Sequence, residues 1–227
     1  MMLSLVLAAL FFAGIHLGIA GTALRGKLVA AVGLKPYMAG FSIASAGGIL
    51  WLARAYDAAP YIATWGVPEW WKPAAILLML PASLLVVIGL MTPNPTSLGQ
   101  EGRLADPPKG ILRVTRHPFL TGVVLWAAVH IAANGDGASL IFFGCFAVVA
   151  AAGTVSIDAK RRRQMGAAAW EPFAERTSIV PFAAILAGRN GLRWREIGPW
   201  RWAAALLAYA LMLGGHAHVI GVSPFPS

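Results

Sequence analysis

The chain has 227 residues, 58% of them hydrophobic and only 12% charged, with a formal net charge of +9. A water-soluble domain carries about 25% charged residues, so too little polar surface exists here to cover a soluble globule. Nor does the basic excess point to nucleic acid, because the charges lie in short stretches between apolar runs and form no single basic face.

Six apolar stretches divide the sequence, at residues 2–23, 37–55, 73–92, 118–133, 138–157 and 200–220. Most approach the ~20 residues that cross a hydrocarbon core, and the fourth is the shortest. The expected fold is therefore all-α: one membrane domain over residues 1–227, a polytopic bundle of about six transmembrane helices in a lipid bilayer. The first stretch has no basic n-region, and its first positive charges, Arg25 and Lys27, come after the apolar run. That order predicts a retained span and not a cleaved signal peptide. Thr92-Pro93-Asn94-Pro95 closes the third span, and Asn134-Gly135-Asp136-Gly137 joins the fourth to the fifth. The second connection is short enough to force a tight antiparallel pair.

Sixteen of the 18 Lys and Arg follow spans one, three and five, and only Arg54 and Lys72 lie in the alternate loops. The positive-inside rule then puts both termini on the non-cytoplasmic side, in a bacterial inner (cytoplasmic) membrane. Trp65, Trp70 and Trp71 mark the outer boundary, and Trp194, Trp200 and Trp202 the inner one. The segment 158–198 is too polar to span. With Trp170, Phe173 and Ile179 set among its charges, it is expected to be an amphipathic segment along the cytoplasmic interface. Cys145, the only cysteine, sits in an apolar run as core packing.

The five histidines are His16, His117, His130, His216 and His218. Four fall inside the expected spans, where an ionisable group is costly and faces a partner, a cavity or a cofactor. At a rise of about 1.5 Å per residue, His16, His130 and His216 lie roughly 13, 20 and 24 Å from the inner edge. Helix tilt covers these differences and leaves room for a common site in the middle-to-outer half of the bundle. Ala9, Phe12, Ala13 and Ala20 share a helix face with His16, as Gly122 and Trp126 do with His130. Small and aromatic residues beside a histidine suit either a flat macrocycle or ordinary small-residue helix packing. Two histidines without thiolates are too few for a closed zinc site, whereas a porphyrin already brings four nitrogens. No CxxCH attachment motif is present, so the cofactor expected is noncovalent haem b.

Phe11-Phe12-Ala13-Gly14-Ile15-His16, Arg116-His117-Pro118, Leu125-Trp126-Ala127-Ala128-Val129-His130 and the ending from His216 to Pro224 resemble the NnrU family over essentially the whole chain. That family is named for its association with denitrification and nitric oxide metabolism, and it resembles 15-cis-zeta-carotene isomerase, a membrane enzyme with b-type haem. The resemblance implies His16 and His130 as axial metal ligands, with His117 and His216 nearby; Gly122 and Trp126, on the helix face of His130, are the expected lining of the cofactor. It implies redox-gated cis–trans isomerisation of a carotenoid or other polyene, or alternatively a haem-binding accessory role in nitrogen-oxide respiration. A second resemblance, carried by Arg116-His117-Pro118, Trp170, Phe173 and Ile179-Val180-Pro181, is to isoprenylcysteine carboxyl methyltransferases. It implies S-adenosylmethionine binding at the cytoplasmic face, with Asp158 standing where that class typically has glutamate.

Overall fold

Backbone in hydrocarbon must satisfy its N–H and C=O groups within the segment, and this chain does so as helix. The computed structural model describes residues 1–97 and 99–226. Helix α1 covers Met2–Ala13 and continues as a π-helical stretch, Gly14–Ala20. It is followed by α2 (Leu24–Val32), α3 (Leu34–Asp57), α4 (Trp71–Met91), α5 (Pro118–Asn134), α6 (Gly137–Met165), α7 (Ala167–Arg176), α8 (Ala183–Leu186) and α9 (Pro199–Ile220). Single 3-10 turns occur at Glu101–Ala105, Gly110–Arg113 and Trp194–Ile197. No strand forms among the described residues, and the one isolated bridge joins Ala63 to Asp136.

Five helical segments are long and apolar enough to cross a membrane: Met2–Ala20, Leu34–Asp57, Trp71–Met91, Gly137–Met165 and Pro199–Ile220. The sixth expected span is α5, a shorter apolar helix. No more than 22% of the most apolar window of any of the five is buried within the protein. Ile43, Leu77, Leu90 and Leu211 are all more than 60% exposed, a surface that water does not tolerate and lipid does. The protein is a multi-pass membrane protein.

Three boundaries differ from expectation. The expected first span ends earlier, at Ala20, and α2 forms an additional short helix carrying Arg25 and Lys27. Helix α6 runs eight residues past the expected end at 157, carrying Asp158 and Lys160 to Arg163 on unbroken helix. The segment 158–198 is correspondingly not one interfacial helix. Its amphipathic part is α7 alone, which buries Trp170 and Phe173 against Leu104.

The chain forms two compact units, Met1–Pro68 with Ala127–Ser156, and Glu69–Trp126 with the chain from Ile157 onward. In the first, α1 lies along α3, and Leu5, Ala8, Phe12, Leu52, Ala55 and Cys145 form a common core. The turn after α5 is held by the loop ahead of α4. Thr64 and Gly66 N–H donate to the Gly135 carbonyl, Gly137 N–H to Ile62, and Trp65 Nε1 to Ala132. Gly135 has φ +58°, and a Cβ there would run into the Gly66 carbonyl, so only glycine fits the clasp. Asp136 caps α6 by accepting from Ser139 N–H at 2.9 Å.

In the second unit, α4 lies along α9, joined by the Tyr209 hydroxyl donating to the Ile76 carbonyl at 2.8 Å. Ile88, Ile111, Leu112, Ile197 and Ala205 fill the core there.

Candidate functional site

His16 stands in the π-helical stretch, where Gly21 N–H donates to the His16 carbonyl five residues back. Such stretches widen the helix and recur at functional positions. The His16 Nδ1 lies 2.8 Å from the Phe12 carbonyl. A carbonyl only accepts, so Nδ1 carries the hydrogen and Nε2 presents its lone pair. Nε2 has the Ser45 hydroxyl 3.4 Å away on α3. The imidazole lies between two phenylalanines, 4.1 Å from the Phe12 ring and 5.1 Å edge-on to Phe41.

His130 is four residues from the end of α5 and stacks on Phe143 of α6, centroids 4.8 Å apart and ring planes 26° apart. Phe143 meets Phe142 at 5.0 Å, Phe142 meets Phe146 at 5.2 Å, and Phe146 meets Phe12 at 5.2 Å. His16 and His130 are thus linked, and kept apart, by four phenylalanine rings within the first unit, and the aromatic run continues past His16 to Phe41. Tyr56 stacks on Phe142 at 4.7 Å and fixes its hydroxyl on Ser139 Oγ at 2.8 Å. The spacing of Phe12 and His16 marks part of this run in the sequence. Its middle, from α6, carries in the sequence only the i, i+1, i+4 pattern of Phe142, Phe143 and Phe146.

The other expected residues lie in the second unit and have other neighbours. His117 is buried, and its Nε2 lies 2.8 Å from Asp158 Oδ1. Arg116 Nε donates to Asp158 Oδ2 at 2.8 Å, so a single carboxylate holds both. The Arg116 carbonyl in turn accepts from Asn94 Nδ2 at 2.9 Å. Arg116 and His117, which the methyltransferase resemblance assigns to cofactor binding, are engaged with Asp158. Gly122 is buried against α4: a Cβ there would stand 2.7 Å from Val86 Cγ2 and 2.8 Å from the Ala82 carbonyl. Its bare face is filled by a helix, the small-residue packing that the sequence left open as the alternative. His216 Nδ1 donates to the Val222 carbonyl at 2.7 Å, closing the end of its own helix, and His218 is exposed. Trp126 is half-buried on the His130 face of α5.

No group of three or more His, Cys, Asp or Glu side chains gathers to hold a bare metal ion among the described residues. Each imidazole of the first unit lies among aromatic rings and the His16 tautomer is fixed by a carbonyl, which suits a metal that brings its own equatorial ligands. Four phenylalanine rings stand between His16 and His130, however, so the two do not face one iron in this arrangement.

A family model described as NnrU protein matches residues 4–224. The chain belongs to the NnrU family. Among curated relatives, 15-cis-zeta-carotene isomerase of Arabidopsis thaliana is 26% identical over 204 residues, covering 83% of this chain and 52% of the relative. The maize (Zea mays) protein of the same name is 34% identical over 90 residues, 37% of this chain and 22% of the relative. This NnrU-family chain therefore spans about half the length, or less, of the curated relatives it matches. No solved structure matches it.

Proposed function

We propose that this NnrU-family protein is a membrane cis–trans isomerase of a carotenoid or related polyene, with His16 and His130 as the candidate ligands of a noncovalent b-type haem. The observation that carries the reading is an apolar, aromatic-walled unit in which His16 has one tautomer fixed by the Phe12 carbonyl and lies against phenylalanine rings. The names of the plant relatives support the reaction class. When bound, the haem would supply the redox and coordination chemistry of its iron.

The chain's own residues do the rest. The Phe12 carbonyl orients His16 and raises the basicity of Nε2 toward a metal. Phe12, Phe142, Phe143 and Phe146 exclude water and offer a hydrocarbon wall to a hydrocarbon substrate. Rotation about a polyene double bond gains and loses no atoms, so the site needs no general acid or base. The reading accordingly favours these aromatic walls over the charged cluster at Asp158.

Absorption spectroscopy of the purified protein, expressed with ample haem, tests the proposal. A Soret band that shifts on dithionite reduction is expected, lost in His16→Ala and in His130→Ala, with reduced protein converting 15-cis-zeta-carotene. Protein without haem, or variants that keep the wild-type spectrum, would overturn it. Haem binding with the carotene left unchanged would move the protein to an accessory role.

A further inference from the structure

Within the second unit, a cavity of about 190 Å³ opens beside the C-terminal end of α4 and the first turn of α9. That is room on the order of half a dozen waters, enough for a phosphate group with part of its hydration shell. Four prolines between Pro93 and Pro108 form much of its wall. Their fixed φ makes the wall rigid before any ligand arrives.

The lining is cationic in effect. Arg103, Lys109 and Arg201 line it together with Asp106 and Glu196. Glu196 is already engaged by Arg113, with Nε at 2.7 Å and a terminal nitrogen at 3.0 Å, and by Gly110 N–H at 2.9 Å. Asp106 pairs with Arg103 at 3.6 Å. Lys109 is exposed and has no ion-pair partner among the described residues. Arg201 donates to the carbonyls of Met91 and Ile197, at 3.1 and 3.0 Å, and meets no carboxylate among the described residues. Two positive charges therefore remain for an outside anion.

The depth of the cavity is set by its neighbours. The Arg201 guanidinium lies 5.4 Å from the ring of Trp200, and Trp194 and Trp202 are in contact at 5.9 Å close by. Tryptophans clustered at one end of an apolar helix mark the headgroup level of a bilayer. Basic pockets at that level take phosphate headgroups.

We infer that this cavity is a binding site for the phosphate of an anionic phospholipid, with Lys109 and Arg201 as its ligating cations. The inference is independent of haem and of isomerase activity. Native mass spectrometry of the full chain in detergent, titrated with phosphatidylglycerol or phosphatidylcholine, tests it. Phosphatidylglycerol adducts are expected to persist at collision energies that strip phosphatidylcholine. Lys109→Glu should weaken their retention tenfold or more, and Lys109→Arg should restore it. Lys27→Glu, an exposed basic residue of the first unit, should leave it unchanged. Equal retention of the two lipids, or equal losses in Lys109→Glu and Lys27→Glu, would overturn the site. Displacement of the lipid by millimolar glycerol 3-phosphate would assign the cavity to soluble phosphate esters and overturn the lipid source.

Discussion

The His16 imidazole is held from below by the Phe12 carbonyl, 2.8 Å from Nδ1, and flanked by the ring of the same residue at 4.1 Å. One residue thus sets both the tautomer and the tilt of the imidazole. Removing the ring in His16→Ala forfeits a hydrogen bond and an aromatic contact, together worth about 1–2 kcal/mol. A modest fall in thermal midpoint is expected beside complete loss of the Soret band. Ser45→Ala removes only a 3.4 Å neighbour of Nε2 and should keep the haem. If Ser45→Ala loses haem as fully as His16→Ala, ligation through Nε2 of His16 is not the anchor.

Two helical glycines make opposite predictions. At Gly122 the space for a Cβ is occupied by Val86 and by the Ala82 carbonyl, and backbone does not yield cheaply. Gly122→Ala should force α4 and α5 apart at a cost of about 1–3 kcal/mol. At Gly144 in α6 nothing lies within 4 Å of the added Cβ. Gly144→Ala should be neutral or stabilising by up to about 1 kcal/mol, from the lower chain entropy of alanine. Thermal unfolding of both variants in one detergent checks the pair, and a tolerated Gly122→Ala would contradict the close helix approach.

Asp158 satisfies two buried cationic or ionisable partners at once, Arg116 and His117. Arg116 and Asp158 side chains are only 13% and 14% exposed. Asp158→Asn leaves the guanidinium without a counter-charge, a loss of about 3–5 kcal/mol for a buried pair broken on one side. Asp158→Glu keeps the charge and should recover part of that loss. Unfolding midpoints that do not separate the two variants would show that size, not charge, is what the site requires.

Hydropathy located five of the six apolar helices within a few residues and the start of the other, because lipid penalises polar side chains strongly enough for composition alone to mark a span. The exceptions have local causes. Helix α6 outruns its apolar stretch because Asp158, Arg161 and Arg162 find partners on protein: Arg116 and His117, the Thr96 and Ser97 carbonyls, and Glu171. The π-helical register around His16 has no composition signature, and the apolar part of α2, Leu28 to Val32, is too short to mark a span. Of the site, the Phe12–His16 pair was legible from its four-residue spacing. The neighbours Phe41, Ser45 and Phe143 come from other helices, and their approach depends on packing that periodicity does not encode.

Glu196 provides a pH-dependent link between two turns of the second unit, Gly110–Arg113 and Trp194–Ile197. Hydrogen bonds from Arg113, aided by Gly110 N–H, hold its carboxyl below the usual glutamate value. The unfolded chain consequently binds the proton more readily than the folded one. The stabilisation is fully present above the unfolded value of about 4.3 and is lost as pH falls through the lower folded value. Wild type should therefore unfold at a higher temperature than Glu196→Gln at pH 7, and the difference should close as the pH falls below about 4. Detergent-stable preparations of both proteins, scanned from pH 7 to pH 3, give the comparison directly. A gap that stays constant to the acid end would mean that the Arg113 contact works through shape and not through charge.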